Sequence, residues 1–472
     1  MQKCLFLLSN LCYIFIRQVM KLTFDSFSEL LEYYAKSAPD APALRFSGTA
    51  VLCGKEFSGR LTYGELAEAV EARAAQLAGC GRNCIAVTAD GSVRCVTDVL
   101  AANAAGLQIV MADESAPKEA IRAITESADE DCEDRILFFT SGTTSRSKAV
   151  VLTGRSLCSS AWNGSQMLPL SPEDTLLCVL PLAHVFGFVC GLLWGLSCGA
   201  CVALGSGTRG IFTDFAAFRP TAVSLVPAQL AYMLKAETNN PELKTVLIGA
   251  GDCPPALIDA AKAKGLHVCF GYGLTETSSG VAISTGGDPF ALDICPDDRI
   301  VIADDGEVLI YAPTCIMQGY YKDPAATEAA FADGSGSAAA AGHPHCFLKS
   351  GDLGYLDADG RLRITGRKKD MLVLSDGTKI FLPEYEADIA AALAEGGQNA
   401  PEAAADLKNG RPVLILSGPA DREAIIKKLQ PLMETLPRGQ QITDVIILDE
   451  PLPRTATGKL KRWEIRQKAG LQ

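Results

Sequence analysis

A chain of 472 residues exceeds the usual size of one hydrophobic core, so two or three domains are expected. Hydrophobic residues at 48% and charged residues at 21% exclude a globally disordered chain. The net charge of −12 argues against non-specific nucleic-acid binding, and an acidic chain can hold a polyphosphate only where its cations converge on one cleft. Seventeen cysteines without regular spacing read as a reduced, cytoplasmic protein rather than a disulfide scaffold.

Residues 1–19 hold an apolar run from Cys4 to Ile16, too short to span a bilayer comfortably. No small-residue cleavage pattern follows it, so a start of translation at Met20 is expected; a membrane-associating helix is the alternative reading. Helical spacing then predicts helices from Phe24 to Ala35 and from about Leu61 to Leu77. Short apolar strands and helices alternate through Ile85–Thr88, Leu107–Met111, Ile136–Phe139, Thr175–Leu180, Ala200–Leu204, Ala222–Val226, Thr245–Ile248 and His267–Phe270, the pattern of a layered α/β domain. Cys198-Gly199-Ala200-Cys201 has no second pair and no nearby histidine. It reads as a helix end, a tight turn and a buried strand with core cysteines rather than a metal or redox site.

After Gly280 the strands shorten and two joins carry Asp-Gly, which predicts an antiparallel, barrel-like piece. Residues 333–346 form a Gly/Ala/Ser-rich stretch, expected to be a surface loop; His343 and His345 within it read as solvated rather than metal-binding. A smaller α+β unit begins near Lys368, with no clear strand between Glu395 and Arg411. The expected division is an extension at 1–19, a large domain at 20–367 and a small mobile domain at 368–472.

The polar loop Thr140-Ser141-Gly142-Thr143-Thr144-Ser145-Arg146-Ser147-Lys148 follows the strand Ile136–Phe139. Hydroxyls, a glycine amide and a lysine can surround a polyphosphate, although a polar turn between strands would look the same. It is not the common P-loop, because Lys148 is followed by Ala149 instead of a metal-binding hydroxyl.

This loop resembles the phosphate loop T-S-G-T-T-G-x-P-K-G of the acyl-adenylate-forming superfamily, departing from it at Ser145, Ser147 and Ala149. Further segments resemble that family in order. Pro181-Leu182-Ala183-His184-Val185-Phe186-Gly187 is similar to its acyl-pocket histidine segment, and Gly249-Ala250-Gly251 to its short nucleotide turn. Gly271-Tyr272-Gly273-Leu274-Thr275-Glu276-Thr277 is similar to its Y-G-x-T-E motif, and Ser350-Gly351-Asp352 to its T-G-D motif. Gly366-Arg367-Lys368-Lys369-Asp370 resembles its domain boundary, and Pro453 to Lys459 its C-terminal P-x-x-x-x-G-K loop.

The resemblance implies an α/β multidomain fold with a large adenylating domain and a small mobile lid, most like acyl-CoA synthetases. It implies activation of a carboxylic acid by ATP and Mg²⁺, then transfer to CoA or to a carrier-protein thiol; a non-catalytic adenylate-binding relative is the competing class. By the same resemblance Thr140, Ser141, Gly142, Thr143, Thr144 and Lys148 hold phosphates, and Thr275 contacts the α-phosphate. Glu276 holds the metal, Tyr272 lies on the adenine, and Gly249, Ala250, Gly251 and Gly273 line the nucleotide. Asp352 and Arg367 contact the ribose, His184 borders the acyl group, Lys369 is the hinge and Lys459 bridges carboxylate and α-phosphate. Residue by residue, His184 also reads as a packed histidine, Asp352 and Asp357 as turn formers, and Lys459 as one cation of a basic tail. Amino-acid-activating members of that family place an aspartate just after the position of His184; Val185, Phe186, Gly187, Phe188 and Val189 offer no carboxylate, so the resemblance implies an uncharged fatty or aryl tail.

Overall fold

A computed structural model describes residues 24–113, 118–128, 134–140, 148–235, 240–251, 253–285, 287–332, 347–374, 378–394, 402–419, 421–454 and 460–471. The extension at 1–19, the stretch 333–346 with its two histidines, and the site residues Ser141, Gly142, Thr143, Thr144 and Lys459 lie outside the described residues.

The helix Phe27–Ser37 starts where Ser26 accepts from the Glu29 amide, and it buries Phe27, Leu30 and Leu31. Thr62 and Glu65 form a reciprocal capping box that starts the helix Tyr63–Ala78. Between them lies a hairpin absent from the sequence reading, Pro42–Leu52 against Lys55–Thr62. Its strands are half exposed and interrupted by register shifts, so their apolar alternation is weak.

That hairpin forms one edge of a nine-stranded sheet. Next to it lie Cys201–Leu204, Thr175–Cys178, Ala222–Leu225, Thr245–Ile248 and His267–Leu274, each parallel to its neighbour. Ser279–Ile283 and Asp293–Ile294 add antiparallel strands at the far edge. The central strands are buried along their whole length, as continuous apolar runs require when helices cover both faces. A five-stranded sheet runs Gly319–Tyr320, Ala149–Leu152, Ile136–Phe139, Gln108–Ala112, Cys84–Thr88. The change of texture after Gly280 produces a four-stranded antiparallel sheet: Arg299–Ile302, Glu307–Tyr311, Leu348–Leu356 and Leu362–Arg367.

The C-terminal part has its own apolar core, including Leu372, Ile389, Leu414, Leu416 and Leu429. Its three-stranded sheet contains Ala403–Lys408, a strand that the sequence reading did not expect between Glu395 and Arg411. Alanines with few β-branched neighbours carry little strand signal, and pairing with Arg411–Ser417 decides the outcome. The architecture is thus mixed α/β with a large N-terminal and a small C-terminal part.

The Cys198–Cys201 segment behaves as expected: Gly199 takes φ +70 after the helix Trp194–Ser197, and Cys201 opens a buried strand. Burial pushes the Cys201 thiol up to about 12, a poor ligand state.

Candidate active site

The strands flanking the polar loop 140–148 are antiparallel, with Phe139 opposite Ala149. Ile136, Leu137 and Phe138 are fully buried, which anchors the loop's entry in the core. The Thr140 amide donates to the Lys148 carbonyl at 2.9 Å, and the Lys148 amide to Thr140 Oγ1 at 3.3 Å. Thr140 and Lys148 therefore face each other across the loop's base. The Lys148 ammonium lies 4.3 Å from the centre of the Tyr320 ring.

The Thr275–Glu276 turn is made by a strand that changes partners. His267 to Phe270 pair in parallel with Thr245 to Ile248, whereas Gly271 to Leu274 pair antiparallel with the strand Ser279–Ile283. The reversal takes one short 3₁₀ turn, Thr275–Thr277, and left-handed Ser278 at φ +53. Hydroxyl groups hold it. The Leu274 amide donates to Thr277 Oγ1 at 3.0 Å, and Ser278 Oγ donates to the Cys315 carbonyl at 2.7 Å. The Met317 amide donates to the Glu276 carbonyl at 2.8 Å. A Cβ on Gly273 would overlap the Ser279 carbonyl oxygen, so close approach of the two backbones requires glycine there. Thr275 and Glu276 stay half buried, and Glu276 Oε1 accepts from the Tyr320 hydroxyl at 2.7 Å. Thr277, Ser278 and Tyr320 escaped the sequence reading. The run of hydroxyls from Thr275 to Ser279, uncommon at a strand end, was the available signal.

Asp352 and Arg367 are cross-strand partners in the four-stranded sheet. Asp352 is 2% exposed; its Oδ1 lies 3.0 Å from Arg367 Nε, and its Oδ2 accepts from the Tyr272 hydroxyl at 2.9 Å. Burial and the Asp352 charge push the Tyr272 hydroxyl well above its ordinary range, so it stays a donor. Asp352 is not the turn former that the sequence also allowed. Asp357 is: its Oδ1 accepts from the Asp359 and Arg361 amides at 3.0 Å each. Ser350, Gly351, Arg367, Lys368 and Lys369 line an open cleft of about 460 Å³ beside this cluster. Lys368 pairs with Asp305 at 2.6 Å and Glu307 at 2.8 Å, so it and Arg367 are already committed to carboxylates.

His184 precedes the helix Val185–Phe188 with its side chain 48% exposed, so it is not a packed core histidine. Its Nε2 lies 3.9 Å from a carboxylate oxygen of Asp113, a residue from the end of the strand Gln108–Ala112 that the sequence reading did not connect with it. A Cβ on Gly187 would overlap the Pro181 carbonyl oxygen, which accounts for the glycine in that segment. The helix then passes through a π-turn, Val189–Leu193, into Trp194–Ser197. Beneath it lies a cavity of about 20 Å³, lined by Gly164, Leu168, Cys190, Trp194, Leu247 and Ile283 among others. Cys190 Sγ is 3.4 Å from Ser279 Oγ, and burial raises this thiol to about 11. Gly249 sits against Phe186, whose ring would lie 2.8 Å from an added Cβ, and Ala250 adopts a left-handed φ of +60. At the C-terminal loop, Arg454 and Leu460 form an antiparallel bridge and the Lys461 amide donates to Pro453.

Mg²⁺ accepts a site of one or two carboxylates completed by phosphate oxygens and water. Glu276 with the neighbouring Thr275 hydroxyl fits that donor chemistry for a cation shared with a polyphosphate.

A mixed α/β frame with hydroxyl, carboxylate and cation groups gathered at strand ends defines a nucleotide-handling enzyme. Residues 129–321 match the family model described as AMP-binding enzyme, and the chain belongs to that family. It is 27% identical over 355 residues to a 2-succinylbenzoate–CoA ligase of Listeria monocytogenes serotype 4b (strain F2365), spanning 70% of this chain and 69% of that relative. It is 30% identical over 358 residues to an indoleacetate–CoA ligase of Aromatoleum aromaticum (strain DSM 19018 / LMG 30748 / EbN1), spanning 70% and 66% respectively. The fold matches O-succinylbenzoate coenzyme A synthetase from Bacillus subtilis, solved in complex with ATP and magnesium ion. The TM-score is 0.70 at 24% identity, over 93% of this chain and 99% of that one. An anthranilate CoA ligase solved in complex with anthranoyl-AMP shares it with a TM-score of 0.70 at 18% identity, over 96% and 98%.

Proposed function

We propose that this protein is an AMP-forming acid–thiol ligase that activates an aryl-type carboxylic acid and transfers the acyl group to CoA. The carboxylate oxygen attacks the α-phosphorus of ATP and pyrophosphate leaves; the CoA thiol sulfur then attacks the acyl carbon and AMP leaves. Carrying this reading is one observation: the Asp352–Arg367–Tyr272 cluster and the Glu276–Tyr320–Lys148 group belong to neighbouring strand ends. Tyr272 and Glu276 are only four positions apart in one segment. Relatives that act on 2-succinylbenzoate and indoleacetate support an aryl acid over a fatty acid.

Two anions must meet in the first step, so positioning and charge neutralisation do most of the work. Lys148 is assigned to the departing phosphates, Thr275 to the α-phosphate and Asp352 to the ribose hydroxyls. Mg²⁺, when held by Glu276, draws charge from the phosphate oxygens. The acid is ionised at neutral pH, so no general base is required. Lys459 is assigned to the carboxylate, with a lid boundary after Arg367 and a hinge at Lys369 letting it withdraw before thioester formation.

No helix among the described residues is long and apolar enough to cross a membrane, and none of the described cysteines is in a disulfide. The reduced, mostly buried thiols support a cytoplasmic location. The deciding experiment measures pyrophosphate release across aryl and fatty acids of graded size, with and without CoA. Release that depends on an aryl acid, and acyl-CoA only when CoA is present, is the expected result. Pyrophosphate release indifferent to every acid overturns it.

A further inference from the structure

Two opposite charges from different loops meet on one aromatic ring. The Tyr320 hydroxyl donates to Glu276 Oε1 at 2.7 Å, and the Lys148 ammonium lies 4.3 Å from the ring centre. Among the described residues Glu276 and Lys148 are not ion-paired with each other. We propose that Tyr320 is a positioning residue that orients the Glu276 carboxylate for a divalent cation and holds Lys148 apart from it, available to phosphate. This rests on the roles given to Glu276 and Lys148 under the proposed function.

The geometry explains why a tyrosine serves. A direct Lys148–Glu276 pair would cancel both charges before substrate arrived. A ring face attracts an ammonium more weakly than a carboxylate does, so an incoming polyphosphate can take the lysine over. The hydroxyl engages one carboxylate oxygen and leaves the other to the cation, and its donation sets the plane of the carboxylate.

Tyr320 is also fixed independently of the two groups it serves. It pairs with Val150 in the strand that follows Lys148. Its amide donates to Thr327 Oγ1 at 2.9 Å, and its carbonyl accepts from the Asp323 amide at 3.2 Å. The Met317 amide, donating to the Glu276 carbonyl at 2.8 Å, ties the same segment to the Thr275–Thr277 turn. The ring therefore arrives on a backbone that both loops share.

The test is calorimetric titration of the full chain with ATP at graded Mg²⁺, without acid, for wild type, Y320F, Y320L, E276Q and E276Q/Y320F. Melting temperatures are recorded for each. Y320F is expected to need about tenfold more Mg²⁺ for half-maximal ATP binding, as loss of one bond to a charged group implies. Its ATP affinity at saturating Mg²⁺ should stay within about twofold of wild type. In the E276Q background the added Y320F change should have no further effect on the Mg²⁺ midpoint. Y320L, which also removes the ring face, should bind ATP less tightly than Y320F even at saturating Mg²⁺. If E276Q and wild type share one Mg²⁺ midpoint, the assignment of Glu276 itself fails. If E276Q shifts and Y320F titrates as wild type, with both folded, the positioning role of Tyr320 is overturned. Equal ATP affinity for Y320L and Y320F at saturating Mg²⁺ overturns the Lys148 half.

Discussion

At Asp352, opposite charges are joined: a carboxylate 2% exposed takes an arginine at 3.0 Å and a tyrosine hydroxyl at 2.9 Å. At the Glu276 end they are kept apart, with a tyrosine ring between a half-buried carboxylate and a lysine. A buried charge without a partner is costly, so the first arrangement is a condition of folding as much as of binding. The second leaves both groups able to change partners when substrate enters. The segment from Tyr272 to Glu276 therefore joins a preset anchor to a responsive electrostatic group.

The contrast breaks most visibly at Lys459, assigned to the responsive end. Lys459→Ala is expected to lower acyl-AMP formation by at least about 10³-fold. Thioester formation from supplied acyl-AMP should persist. Measuring both half-reactions decides the matter, because equal loss of the two refutes a lysine that acts in the first step alone. At the anchored end, Asp352→Ala should weaken ATP binding about 100-fold and also cost about 2–3 kcal/mol of stability, since the buried Tyr272 hydroxyl loses its acceptor. Lys148→Ala should cost about 10-fold to 100-fold in kcat/KM for ATP with an unchanged melting temperature. If both variants lose stability equally, the distinction between the ends is wrong.

A third carboxylate sharpens the comparison, because Asp298 is buried with no cation partner among the described residues. Asn163 donates to its Oδ2 at 2.8 Å, and burial followed by the nearby Asp297 charge raises its carboxyl to about 8. Below the ordinary carboxylate range both folded and unfolded chains are protonated there, and no penalty exists. As pH rises toward about 8 the unfolded chain ionises first, so stability falls through that window and levels off above it. Asp298→Asn should therefore stabilise by about 2–5 kcal/mol near pH 8, with the gain shrinking toward pH 4. Melting curves across that range check the sign. The smallest effect is expected at the turn after Thr245–Ile248. Ala250→Gly relieves a left-handed φ of +60 and should raise stability by about 0.5–1 kcal/mol in denaturant titration.

The sequence made the layered α/β domain legible through its central strands, because strands buried on both faces must be continuously apolar. The edge hairpin Pro42–Leu52/Lys55–Thr62 and the strand Ala403–Lys408 were missed, since their residues bury only in part and acquire strand character from a partner. Of the proposed site, Thr140, Lys148, Glu276 and Asp352 are picked out by the order of their motifs along the chain. Tyr320, Asp113, Thr277 and Ser278 were not, because each acts across a long sequence separation or through backbone groups.

By itself the sequence determined the residue types, their order and hence the class of chemistry, since a hydroxyl-rich loop, a Thr-Glu pair and well-spaced cations limit what the chain can bind. Only the tertiary structure decided which of those charges are joined and which are separated. Asp352 and Asp357 look alike as turn-forming aspartates, yet one faces Arg367 across a strand pair and the other caps its own turn. The difference lies in strand register, which sets the neighbours of a side chain through pairing with residues far away in the chain.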